Sequence, residues 1–228
     1  IIVINGCECD HSIVFPQIPN LTVIRRENKG FDFGGHNSAL EHIDSINKKY
    51  DYYFFMNSGV IGPIMPHYFK LVLDHWSSIF IKKINNVVKL VGTTIVCLPP
   101  EDLGGVGPKV EGFFFMVDQI GLDLLRNQKT IFCDHATKID AILNGEYALS
   151  TCMFNNGYSI DCMLRKYQNI DWRNTYYHKS NNNNHPSRKN SFYGNTIIPY
   201  EVIFHKWFWI NQANVNFEII TQYVNNNT

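Results

Sequence analysis

Short β-branched runs alternate along the chain with segments whose apolar residues recur at helical spacing, and glycine, proline and asparagine punctuate the joins. Ile1–Asn5 predicts a buried strand closed by Gly6, and Leu21–Arg25 a second strand beyond a loop carrying Pro16 and Pro19. A glycine-rich turn over Asn28–His36 follows. Ser38 to about Lys49 then predicts a helix with Leu40, Ile43 and Ile46 on one face. Tyr52–Met56 predicts a third strand, ending in Asn57-Ser58-Gly59 and then Gly62-Pro63. Strand, turn, helix and strand in that order form a βαβ unit, which favours a parallel sheet with its site at the C-terminal strand ends.

The pattern continues with a helix over Tyr68–Phe80, a strand over Lys89–Cys97 and a loop over Pro99–Gly107. A strongly aromatic strand is expected at Phe113–Val117, and helices at Ile120–Asn127 and Lys138–Leu143. A further helix over Glu146–Asn155 is ended by Gly157, and Ile160–Tyr167 either continues it or forms a short strand. From Ile170 the texture turns polar; Trp172–Tyr193, with the tract Asn181–Asn184, predicts a mobile loop. Ile197–Trp209 is apolar again and is expected to dock on the core. The chain thus divides into a core over residues 1–169 and an extension over 170–228, docked on the same domain. The fold class expected is α/β, with a mostly parallel sheet flanked by helices.

Composition narrows the function classes. Lys+Arg and Asp+Glu are 20 each, so the formal net charge is zero, which argues against a nucleic-acid partner or a polybasic membrane surface. No apolar run approaches the length of a membrane span. The six cysteines, at 7, 9, 97, 133, 152 and 162, match no zinc spacing and read as free thiols, favouring a reducing, cytoplasmic setting. The chain opens inside an apolar run without a methionine, as a trimmed chain would.

Several stretches could carry chemistry, each with a plainer structural alternative. Glycines at 30, 34 and 35, beside Asn28 and Asp32, would let a ligand approach the backbone, and the N–H groups of the following helix could hold a phosphate. The alternative is an ordinary strand-to-helix turn with Asp32 as its cap. Asn57, Ser58 and Gly59 close a strand but offer a divalent ion only neutral oxygens. Glu146 follows a glycine at an expected helix start, where it could act as a general base or merely complement the helix dipole. In Gly107–Gly112, Lys109 could neutralise phosphate and Glu111 hold a sugar hydroxyl, or both could be solvated. Arg188 and Lys206 suit a diphosphate leaving group. His205 is either a metal ligand or a core histidine.

In combination and in order, six runs resemble GT-A-like glycosyltransferases, with distant similarity to rhamnan and polysaccharide-synthesis transferases. They are Arg26-Glu27-Asn28-Lys29-Gly30-Phe31-Asp32-Phe33-Gly34-Gly35, Met56-Asn57-Ser58-Gly59-Val60-Ile61-Gly62-Pro63, Val91-Gly92-Thr93-Thr94, Gly107-Pro108-Lys109-Val110-Glu111-Gly112, Gly145-Glu146-Tyr147-Ala148-Leu149-Ser150 and Pro199-Tyr200-Glu201-Val202-Ile203-Phe204-His205-Lys206. The resemblance implies a Rossmann-like domain that binds a UDP-, GDP- or dTDP-linked sugar and transfers the sugar to a hydroxyl of a glycan or glycoprotein. It also implies a first strand preceding Ile1–Asn5. Where such enzymes usually carry D-x-D for Mn²⁺ or Mg²⁺, this chain has Asn57-Ser58-Gly59. A catalytically inactive nucleotide- or carbohydrate-binding member of the same fold is the alternative; a nucleotidyltransferase would need a metal-binding carboxylate pair. Donor sugar, acceptor, stereochemical outcome and oligomeric state are not specified by the sequence.

Overall fold

Phe114–Asp118 (β8) is the strand on which the architecture is built. In the computed structural model, which describes residues 1–6, 14–72 and 75–206, it pairs antiparallel with Tyr52–Met56 (β3) on one side and with Val88–Gly92 (β5) on the other. Ser159–Cys162 (β9) then adds parallel to β5, giving the order β3-β8-β5-β9. The sheet is therefore mixed, with β8 antiparallel to both of its neighbours, and the expectation of a mostly parallel sheet is corrected. The reason is local: β8 follows a turn from the hairpin Ile95–Leu98 (β6) and Gly107–Val110 (β7), without a crossover helix to reverse its direction.

Alternation along these strands builds two aromatic layers. On one face Phe55, Phe115, Phe33 and Phe132 stack, with the Phe55 and Phe115 ring centroids 4.7 Å apart. On the other, Phe54, Trp76, Phe80, Phe114 and Phe204 pack, with Phe114 and Phe204 4.3 Å apart. Much of the 14% aromatic content thus builds the interior.

Ile2–Asn5 (β1) and Val23–Arg26 (β2) form a separate parallel pair, and the helix Phe31–Ser45 (α1) packs against β1. The predicted βαβ unit is present as a chain order, but β3 does not pair with β2. Helix α1 begins at Phe31, seven residues before the expected Ser38, so Gly34 and Gly35 lie in its first turns. The expected helix over Tyr68–Phe80 resolves into a 3₁₀ turn, His67–Leu71, and a short helix, Ser77–Ile81 (α2), with residues 73–74 outside the described set. The strand expected over Lys89–Cys97 breaks at Thr93-Thr94, where β6 leaves the sheet to pair with β7.

After β8, Asp118 caps the helix Gln119–Asn127 (α3) by accepting the Gly121 N–H at 2.8 Å, and the same carboxylate pairs with the buried Lys89 ammonium at 2.8 Å. One continuous helical run then spans Lys138–Asp140 (α4), a π-helical segment Ala141–Glu146 and Tyr147–Asn155 (α5). The expected break between Leu143 and Glu146 is absent, so Glu146 occupies a helix interior rather than a first turn. The sequence Ile160–Tyr167 forms β9 and a 3₁₀ turn, Arg165–Tyr167.

The polar extension is folded over its described part. Trp172 is fully buried, Tyr176–Ser180 (α6) and Pro199–Val202 (α7) are short helices, and His205–Lys206 (β10) pairs with Val60–Ile61 (β4). In the asparagine tract, the Asn181 amide donates to the Tyr177 carbonyl at 2.7 Å and Asn184 accepts the Tyr193 N–H at 2.9 Å, so the tract closes a helix end and a turn. Residues 207–209 of the apolar run expected to dock lie outside the described residues.

Gly121 marks the tightest helix-to-sheet approach: a Cβ there would lie 2.5 Å from the Lys89 carbonyl oxygen. Gly121→Ala should therefore cost about 1–3 kcal/mol through overpacking, despite alanine's better helix propensity. Equilibrium urea unfolding checks this; unchanged or increased stability would show that α3 shifts without penalty.

Candidate active site

Four separate parts of the chain bring charged side chains to one place beyond the end of β3. Glu146 arrives on the π-helical segment, Glu111 on the turn between β7 and β8, Asp32 on the first turn of α1 and Lys206 on β10. π-helical turns are rare and concentrate at functional positions, and here the wide turn has a packing cause. Gly145 lies flat on the Phe33 ring, where a Cβ would come within 2.6 Å, and this seats the next residue over the sheet end. Gly112 performs the matching role opposite. Its missing side chain leaves room for Glu146, whose Cγ would lie 2.9 Å from a Cβ.

Burial pushes the Glu146 carboxyl up to about 7, helped by the negative charges of Glu111 and Asp32; Lys206 and the Gly112 N–H act in the opposite direction. Glu111 is fixed more firmly. Its Oε2 accepts the Thr94 hydroxyl at 2.6 Å and also the hydroxyl of Ser187, which is buried. Two neighbouring carboxylates therefore differ in setting: one is shielded and proton-binding, the other held by two hydroxyl donors.

Asn57 joins the cluster from the end of β3. Its amide donates to Asp32 at 2.9 Å and its carbonyl oxygen accepts the Gly59 N–H at 2.9 Å, while Ser58 stays exposed. With both ends of the Asn57 side chain engaged and Ser58 neutral, this strand end does not suit a divalent ion. Among the described residues no three His, Cys, Asp or Glu side chains are grouped to hold a metal. His205 is buried, with Nδ1 2.9 Å from the Lys206 carbonyl, and burial lowers its proton affinity. It sits beside Glu111.

The glycine-rich stretch divides. Asp32 faces the cluster, but the space beside the glycines is filled by protein. A Cβ on Gly30 or Gly34 would meet the Asp134 carboxylate at 2.2 or 2.4 Å, and on Gly35 the Asn5 amide at 3.3 Å. Gly30 also takes the left-handed φ of +75° that starts α1. These glycines serve chain packing; the Arg26–Asp134 ion pair closes over Gly34. Asn28 is exposed beside Gly6.

Of the remaining cations, Lys109 is buried and donates to Thr151 at 3.1 Å, one helical turn beyond Tyr147, with Asp102 nearby. Arg188 lies on the exposed rim near His185 and Tyr147. The loop between β6 and β7 covers Tyr147, with Gly104 flat on its ring, where a Cβ would lie 1.9 Å away. Thr94, Ser187, Asp102 and Tyr147 are site residues that sequence reasoning did not single out. Only the place of Thr94 in the run Val91-Gly92-Thr93-Thr94 and of Tyr147 beside Glu146 hinted at them.

No family model matches the chain, and neither comparison with curated proteins nor comparison with solved structures finds a match.

The elevated Glu146 affinity carries a stability signature. Because the carboxyl binds its proton more tightly in the folded chain than in the unfolded one, its contribution falls as pH rises from about 4.5 through about 7. Glu146→Gln should match the parent near pH 4.5 and exceed it by on the order of 1–3 kcal/mol at pH 8. Urea midpoints across that pH range check this; parallel curves for the two proteins would show that Glu146 titrates normally.

Proposed function

We propose that the chain is the catalytic part of a GT-A-like glycosyltransferase, moving a sugar from a nucleotide-sugar donor to a hydroxyl of a glycan or glycoprotein acceptor. The observation that carries this reading is the convergence of Glu146, Glu111, Asp32, Asn57 and Lys206, from runs spread between residues 32 and 206, at one end of the sheet. The order of the six runs supports the family resemblance, and the mixed α/β sheet is compatible with it.

In this reading the acceptor hydroxyl oxygen attacks the anomeric carbon as its proton passes to Glu146. The bond from that carbon to the donor diphosphate breaks, and the diphosphate departs with the electron pair. A base with proton affinity near neutrality suits the task, because it is ionised in part of the population yet binds a proton strongly. Lys206, beside the carboxylates, and Arg188, on the rim, would meet the charge of the leaving group. Asp32, held by Asn57, would accept a donor hydroxyl.

Release of nucleoside diphosphate from UDP-, GDP- and dTDP-sugars, with and without an acceptor glycan, tests the activity. Glu146→Gln should lower turnover by roughly 10²–10⁴-fold with donor affinity nearly unchanged. Full turnover in that variant, with Glu111→Gln inactive, would move the base to Glu111. Donor binding without release of diphosphate under any acceptor would favour the non-catalytic binding module.

The neutral oxygens at Asn57-Ser58 predict weak metal dependence. EDTA should leave most of the turnover in place. Complete loss, restored by Mn²⁺, would refute this and require carboxylates to regroup around the ion.

A further inference from the structure

Glu111 differs from the other acidic groups of the cluster in how it is held. Thr94, 1% exposed at the break between β5 and β6, and Ser187, 3% exposed in the extension, both donate to the same oxygen, Oε2. Those two bonds use up the hydroxyl hydrogens of buried residues from two distant parts of the chain. The next residue, Gly112, packs directly against Glu146, where a Cβ would lie 2.9 Å from the Glu146 Cγ, so the clamp holds Glu111 one residue away from that contact.

We propose that the Thr94–Glu111–Ser187 clamp makes Glu111 a positioning residue: it pins the Glu111 carboxyl group beside Glu146, so that the two groups act as a coupled pair. The inference rests on the reading of Glu146 as the base, but its physical content is a coupling between two carboxyl groups that exists with or without substrate. Every charged neighbour bears on it. Glu146 faces Glu111 from the β7–β8 turn, Asp32 from α1 and Lys206 from β10, and adjoins Tyr147 on its own helix. Glu111 in turn faces His205 from β10 and His185 from the extension. Lys206 opposes the effect of Glu111 and Asp32 adds to it. The clamp determines which of these charges stays in place, because Glu111 is the one carboxylate of the three tied by two buried hydroxyls.

Carboxyl-carbon NMR of the ¹³C-glutamate-labelled chain, followed against pH and assigned by the signal lost in Glu146→Gln, reads the Glu146 midpoint directly. In Glu111→Gln that midpoint should fall by about one pH unit. In Ser187→Ala it should fall part of the way, and in Ser187→Thr, which keeps the hydroxyl, it should stay near the parent value. The acid limb of the kcat profile should move in the same direction, with donor KM little changed. A Glu146 midpoint unmoved in both Glu111→Gln and Ser187→Ala overturns the proposal. If Glu111→Gln does not fold, the contrast between Ser187→Ala and Ser187→Thr decides alone. A shifted midpoint in a chain that releases no nucleoside diphosphate from any sugar donor leaves the coupling standing and removes the transferase reading instead.

Discussion

The insertion of β8 against the direction of its neighbours is the constraint on which the rest depends. Its first four residues are buried, and its alternating side chains seed both aromatic layers, Phe115 on one face and Phe114 on the other. At its C-terminal end Asp118 joins three elements at once, capping α3 and neutralising Lys89 of β5. A buried ammonium costs several kcal/mol unless paired, so this pair fixes the register of β8 against β5 as well as stabilising the helix start. At its N-terminal end the same strand delivers Gly112 and Glu111 to the cluster. The position of Glu111 is therefore set by the core, through a strand that has little freedom to slide.

The cluster also shows how glycine shapes a site without touching a ligand. Gly145 and Gly112 are opposed across Glu146, one yielding to Phe33 and the other to Glu146 itself. Each exists because a side chain would occupy space that a neighbour needs. Gly34 and Gly35, which look like a phosphate cradle in the sequence, are filled from the other side by Asp134, Arg26 and Asn5. A glycine in a chain records that something comes close; only the fold says whether that is a ligand, a ring or a carboxylate.

This explains what was legible beforehand. Strands with unbroken apolar character were readable because such a composition is one that no loop tolerates: Phe113–Val117 is buried on both faces, and Tyr52–Met56 buries Tyr53 and Phe55 on one. Glu146, Glu111, Asp32, Asn57 and Lys206 were readable as isolated polar groups at the ends of such runs. The direction of β8 was not, because apolar alternation is the same in parallel and antiparallel pairing. Nor was the π-helical run through Gly145, since a glycine before a carboxylate looks like a helix boundary. The burial of Ser187 was hidden by its polar surroundings: nothing in Asn181–Arg188 distinguishes a folded strap from a solvated loop until its hydroxyl is seen on Glu111.

The extension over residues 170–206 consequently belongs to the site in a physical sense, not as an appendage. Trp172 seats it on β9, with the Trp172 N–H donated to Ser159 at 3.2 Å, and Phe192 and Ile197 extend the core. From that anchored base it reaches Glu111 through Ser187, while β10, at its far end, pairs with β4 and brings Lys206 to Glu146. One segment thus supplies both a donor that holds a negative charge in place and a cation that limits its effect. Loosening the strap would release both influences together. The electrostatic state of Glu146 is therefore tied to the docking of residues 170–206, whose anchors are Trp172, Phe192 and Ile197.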